Sequence, residues 1–129
     1  AILDVTLTGT FRMTRAVLGH MYERESGAVV NNASVLAWRA QPGQSAYAAA
    51  KAGVGAFTRC TAMEAAAHGV RVNAVSPSLA LHKFLSKAIP EAFKRSATTW
   101  EVANVMVFLA SDYASYMTGE VISVSSQHP

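Results

Sequence analysis

The sequence predicts an α/β domain of three layers, a short parallel sheet with helices on both faces. Two observations carry this reading. Segments with helical spacing alternate with short β-branched runs, in the order helix, strand, helix, strand, helix, strand. Each parallel strand pair needs a crossover connection, and this alternation supplies one. The composition, 51% apolar and 15% charged over 129 residues, gives one domain enough apolar surface for a core.

The first helix follows from Leu7, Phe11, Leu18 and Met21 and is expected to end at Gly27. The run Ala28-Val-Val-Asn-Asn-Ala-Ser34 reads as a strand, and Gln41-Pro-Gly-Gln44 as a loop. Ser45 is placed to cap an alanine-dense helix that Gly69 stops. A second strand runs from Val70 to a close at Pro77, and a short helix or two is expected around Pro90. Thr98 with Glu101 forms a capping box for a helix through Ala110, and Val121 opens the third strand. Sequential strand order and right-handed crossovers are expected. The chain nevertheless begins on a helix, and three strands make a small sheet for this architecture.

Composition narrows the function classes. The net charge of +3 is scattered, without the clustered basic footprint that nucleic acid demands. No apolar stretch approaches the ~20 residues that span a bilayer, and the start shows no basic leader followed by a long apolar run. The lone Cys60 cannot form an internal disulfide, which fits a reducing, cytoplasmic setting. His20, His68, His82 and His128 are too dispersed to bind a metal, so no metal is expected. Trp38 and Trp100 are placed by packing before any role at a substrate mouth.

Tyr47 and Lys51 stand four residues apart in the alanine-dense helix, on one face. A phenol titrates near ~10 and is a poor base at neutrality, but a nearby ammonium favours the phenolate. Such a pair can exchange a proton with an alcohol or carbonyl. Ser34, at the carboxyl end of the first strand, sits where loops of an α/β sheet meet ligands, and its hydroxyl could bond the reacting oxygen. A Tyr-x-x-x-Lys pair alone is weak, since many helices hold one by chance.

The spacing Ser34, Tyr47, Lys51 resembles the Ser-Tyr-Lys triad of short-chain dehydrogenases/reductases. Gly27-Ala-Val-Val-Asn-Asn-Ala-Ser34, Ser45-Ala-Tyr-Ala-Ala-Ala-Lys-Ala-Gly53, Val70-Arg-Val-Asn-Ala-Val-Ser-Pro77, Phe108-Leu-Ala-Ser-Asp112 and Thr118-Gly119 are similar to the family's segments in order and spacing. The resemblance covers nearly the whole chain. It implies the last three strands of a partial Rossmann fold and hydride transfer between NAD or NADP and a secondary alcohol or ketone. Tyr47 would be the acid/base and Lys51 would assist it and hold the nicotinamide ribose. Ser34 would orient the substrate oxygen, and Pro77, Ser78 and Ala80 would line the nicotinamide.

The chain departs from the family pattern at Thr6, where asparagine is usual, at Ser78 after the loop proline, at His82, and at Ser125-Ser126-Gln127. The ending is similar to that of members some of which act on bulky ring or acyl-thioester substrates. No glycine-rich phosphate-binding turn follows any strand. A truncated carboxy-terminal half is therefore expected, inactive alone and binding nicotinamide cofactor poorly or not at all. Small residues Ala49, Ala52, Gly53 and Ala56, with the apolar tail from Ile122, point to a homo-oligomer. The rival reading is a non-catalytic fragment or pseudoenzyme that serves only as a self-associating module.

Overall fold

The computed structural model describes residues 1–78 and 92–126. Ala80, His82, the helical segment expected around Pro90 and the last three residues lie outside that set. A π-helical turn, Asp4–Thr8, leads into α1 (Gly9–Arg24), followed by β1 (Gly27–Asn32), α2 (Ser45–Ala66), β2 (Val70–Pro77), α3 (Thr99–Ala110) and β3 (Val121–Val124). The three strands form one parallel sheet in the order β1-β2-β3. The register runs from Gly27↔Val70 to Asn32↔Val75 and from Ala74↔Val121 to Pro77↔Val124.

Successive β2 side chains alternate between two layers. Val70 and Val72 pack on Ala62 and Ala65 of α2, with Leu18, Met21 and Tyr22 of α1 closing the cluster. Ala74 joins Val54 and Ala33, with Leu7 and Val121 against them. Arg71 and Asn73 point to the other face, where they hold carbonyls at and beyond the end of α3. The helices α1 and α2 thus share one face and α3 covers the other, as a three-layer partial Rossmann sheet requires.

This arrangement corrects one expectation. β1 to β2 and β2 to β3 advance in the same direction, yet α2 and α3 lie on opposite faces, so the two crossovers have opposite hands. The rule of right-handed crossovers rests on strand twist carried through a tight connection. The connection from β2 to β3 spans residues 78–120 and is not such a unit.

Helix ends also differ from the expected boundaries. Glu25, rather than Gly27, takes the left-handed conformation (φ 52°) that ends α1, and Ser26 N–H donates to Met21 O. Ser45 is the first residue of α2 and so cannot cap it. Gln44 holds that place with no side-chain bond. Gly69 does turn the chain (φ +69°), and a Cβ there would stand 2.8 Å from Glu25 O, so only glycine fits. The capping box at Thr98 and Glu101 is present with both bonds.

Candidate active site

β1 ends at Asn32, two residues before Ser34, which instead opens a 3-10 turn, Val35–Ala37. Ser34 is buried, and its Oγ accepts a hydrogen bond from Leu36 N–H at 3.2 Å. That bond fixes the hydroxyl as an acceptor on one side and leaves its own hydrogen to donate. The 3-10 turn packs on α2.

Lys51 projects from the first half of α2 and is 8% exposed, unusual for a lysine. Its Nζ donates to Asn32 O at 2.7 Å and lies 5.6 Å from the centroid of the Tyr47 ring. Burial pushes the Lys51 ammonium below its ordinary pKa, because desolvation disfavours the charged form. The helix therefore holds a buried ammonium beside a phenol, with a hydrogen-bonded anchor that fixes where the charge sits.

Strand chemistry locates that anchor. Ala33 N–H donates to Val75 O at 2.8 Å, so the odd-numbered residues of β1 turn their backbone groups toward β2. Ala28, Val30 and Asn32 turn theirs to the outer edge. Lys51 therefore reaches over β1 to its outer edge, beyond the carboxyl end of the strand.

Leu7 in the π-helical turn packs against Gly53, where a Cβ would meet Leu7 Cδ2 at 2.8 Å. The small residue of α2 here serves contact within the chain. Thr6 lies in the same π-helical turn, and its carbonyl accepts from Thr10 Oγ1 at 2.7 Å. Pro77 and Ser78 stand at the carboxyl end of β2, and Ser78 N–H donates to Val124 O at 3.0 Å. Ser78 borders a cavity of about 200 Å³ with Phe93, Arg95, Glu101 and Val124, and none of Ser34, Tyr47 or Lys51 lines it. The structure thus groups Tyr47 and Lys51 with Asn32, and sets Pro77 and Ser78 one strand away. Asn32 was not foreseen, because it acts through a backbone carbonyl that every residue possesses. Among the described residues no cluster of His, Cys, Asp or Glu could hold a metal, and no helix is long and apolar enough to cross a membrane.

The sequence profile described as enoyl-(acyl carrier protein) reductase matches residues 1–126. A reductase of Mycobacterium tuberculosis acting on a hydroxy-methyl-oxo-hexahydroindene-carboxyl-CoA is 61% identical, over 99% of this chain and 53% of its own length. The 3-oxoacyl-[acyl-carrier-protein] reductase FabG of Thermotoga maritima is 38% identical, over 96% of this chain and 54% of its own. A short chain dehydrogenase from Mycobacterium smegmatis superposes with a TM-score of 0.85 at 58% identity, covering 98% of this chain and 49% of that one. A 3-oxoacyl-[acyl-carrier protein] reductase from Brucella melitensis, solved with bound NAD, gives 0.88 at 33% identity, covering 96% and 49%. The chain spans about half the length of these relatives. With the fold, the residue order and the profile in agreement, the chain belongs to the short-chain dehydrogenase/reductase family.

Proposed function

We propose that this chain supplies the catalytic half of an NAD- or NADP-dependent oxidoreductase that interconverts a secondary alcohol and a ketone. The observation that supports it most is the buried Lys51 ammonium, anchored at 2.7 Å on Asn32 O and 5.6 Å from the Tyr47 ring. Tyr47 gives its phenolic proton to the carbonyl oxygen in reduction and takes it back in oxidation. Lys51 stabilises the phenolate between the two events. Ser34 donates its free hydrogen to the reacting oxygen and holds it toward Tyr47.

The nicotinamide supplies the hydride when it is bound. Tyr47, Lys51, Pro77, Ser78 and Ala80 would hold its nicotinamide end. Lys51 fits that duty, since Asn32 takes one of its three N–H donors. A helix amino-terminus to receive the pyrophosphate does not follow any strand of this chain with a glycine-rich turn. The chain alone therefore binds NADH and NADPH weakly, and micromolar affinity by calorimetry would contradict this. The relatives act on acyl thioesters of the carrier protein or of coenzyme A, so a keto or hydroxy thioester, bulky or linear, is the substrate class to assay.

Self-association is also proposed. Phe11, Met13 and Met63 lie exposed on α1 and α2, apolar side chains of the kind that two-fold assemblies cover. Light scattering that finds a stable monomer at micromolar concentration would exclude it.

The deciding experiment is Tyr47→Phe in the full-length enzyme, followed by nicotinamide absorbance. Loss of a proton donor at the reacting oxygen is expected to lower kcat by on the order of 10²–10⁴-fold with the fold intact by circular dichroism. Turnover within a few-fold of wild type would show that another group moves the proton.

A further inference from the structure

We propose that Asn31 and Thr58 are positioning residues for the acid/base pair. Their buried side-chain hydrogen bond fixes where α2 lies along β1, and so keeps Lys51 in reach of the Asn32 carbonyl. This role depends on the reading of Tyr47 and Lys51 as that pair. Asn31 Nδ2 donates to Thr58 Oγ1 at 3.0 Å, and both residues are buried. Asn31 immediately precedes Asn32 in β1 and stands opposite Ala74 in the ladder with β2. Thr58 lies two helical turns beyond Lys51, on the same face of α2. The bond that ties strand to helix and the bond that anchors the ammonium therefore sit on the same two rigid segments.

α2 packs chiefly on β2 and on the 3-10 turn, and meets β1 at few places. The apolar contacts nearby, Val54 with Ala33 and Ala74, carry no direction, because the hydrophobic effect follows area and not angle. A hydrogen bond between two side chains does have direction, and it is made at one setting of the helix and broken at others. Apolar side chains of the same shape could fill this space with no polar group to satisfy. The polar pair thus specifies position more than it adds stability.

Lys51 depends on that setting. Its ammonium ends a flexible four-carbon stem, and among the described residues no carboxylate pairs with it. The 2.7 Å bond to Asn32 O holds the ammonium 5.6 Å from the centroid of the Tyr47 ring. Slippage of α2 on β1 would carry Lys51 away from that carbonyl and free the ammonium to swing from the phenol. At this range a retreat of ~2 Å raises the apparent pKa of the phenol by roughly half a pH unit.

The test has a kinetic arm and a spectroscopic arm. In the full-length enzyme, the pH profile of kcat for alcohol oxidation reports the phenolate. Thr58→Val is expected to move its rising limb up by roughly half a pH unit. That lowers kcat about threefold at neutral pH and leaves the high-pH plateau unchanged, and Thr58→Ser restores the limb. Asn31→Leu combined with Thr58→Val removes both partners, so the denaturant midpoint should return toward wild type while the limb stays displaced. In this chain alone, the carbonyl ¹³C resonance of Asn32 should move in Thr58→Val and stay in place in Thr58→Ser. Should Thr58→Val misfold, the double variant carries both arms. Activity lost equally at every pH, a limb that does not move, an unshifted Asn32 carbonyl, or a double variant with the wild-type profile overturns the proposal. The Asn32 resonance involves no turnover, so an active Tyr47→Phe enzyme would sink the acid/base reading and leave the placement of Lys51 standing.

Discussion

The two faces of β2 are held by different physics. Toward α2 the strand presents Val70, Val72 and Ala74, wholly buried against alanines and valines, and α2 itself has no side-chain cap at its start. Toward α3 it presents one wholly buried apolar residue, Val75, together with Arg71 and Asn73, whose side chains hold backbone groups. Arg71 Nη1 donates to Leu109 O at 2.8 Å and Met117 O at 3.3 Å, and Nη2 to Ser111 O at 3.0 Å. Asn73 Nδ2 donates to Met117 O at 2.9 Å, and its Oδ1 accepts from Glu120 N at 3.0 Å. α3 has a single fully buried residue, Leu109. One helix is fixed by excluded water, the other by a polar clamp at its end, where a cation also complements the helix dipole.

The clamp is the first thing to break. Arg71→Met keeps most of the side-chain volume but leaves Leu109 O and Ser111 O without their donor. Three carbonyls lose charge-assisted bonds, of which only Met117 O keeps another donor, Asn73, so unfolding by urea is expected to show a loss of about 3 kcal/mol. Amide exchange should rise in α3 well before it rises in α2. Equal loss of protection in both helices would show that the two faces are one cooperative unit.

How far the sequence reveals this contrast depends on which atoms act. Val70, Val72 and Ala74 announce a buried face by period-two spacing, and Tyr47 with Lys51 announce a shared helix face by a spacing of four. Thr98 and Glu101 are legible for the same reason, since side chains at fixed offsets carry the bond. Arg71, Asn73 and Asn32 are not legible. Their partners or acting groups are backbone carbonyls distant in sequence, such as Arg71 with Leu109 and Lys51 with Asn32, and a carbonyl leaves no mark on residue type. The hand of the second crossover was hidden likewise, because it depends on which face receives α3 and not on the order of elements.

Val72→Ala probes the apolar face. Val72 is fully buried among Ala62, Ala65 and Val70, so two methyl groups are lost from a closed site. A loss of about 2 kcal/mol is expected, from transfer and residual cavity together. The denaturant midpoint measures it. A change near zero would mean that α2 settles into the gap, and that this face is less tightly packed than its burial implies.

Ser76 is the exception on that apolar face. It is fully buried, and its Oγ has no hydrogen-bond partner among the described residues. Its place in the alternation, two residues beyond Ala74, sets it under α2. A buried hydroxyl without a partner costs free energy that a methyl does not. Ser76→Ala is therefore expected to raise stability by about 1 kcal/mol, where Arg71→Met on the opposite face lowers it. A destabilised Ser76→Ala protein would reveal a polar contact on the α2 side and weaken the contrast between the faces.

The smallest effect lies at the other end of α3. Glu101 closes the capping box, its Oε2 accepting Thr98 N–H at 2.7 Å, and it forms a two-pronged ion pair with Arg95 at 2.7 and 2.9 Å. The Arg95 hydrogen bond first, then the Thr98 backbone bond, hold its carboxyl well below the ordinary 4.5, at about 2. The folded protein thus binds this proton less readily than the unfolded chain. Its contribution to stability is complete above pH 4.5 and disappears as pH falls toward 2. The pair is solvent-exposed, so salt screens it and the effect is slight. Glu101→Gln retains an acceptor for the Thr98 amide but loses the charge. Denaturant midpoints of the two proteins should differ slightly at pH 6 in low salt, converge by pH 2, and converge at pH 6 in 1 M salt. A difference that persists at pH 2 would mean that the box is held by the neutral hydrogen bond and that charge adds nothing. The Arg71 clamp would then be the only end of α3 at which electrostatics matters.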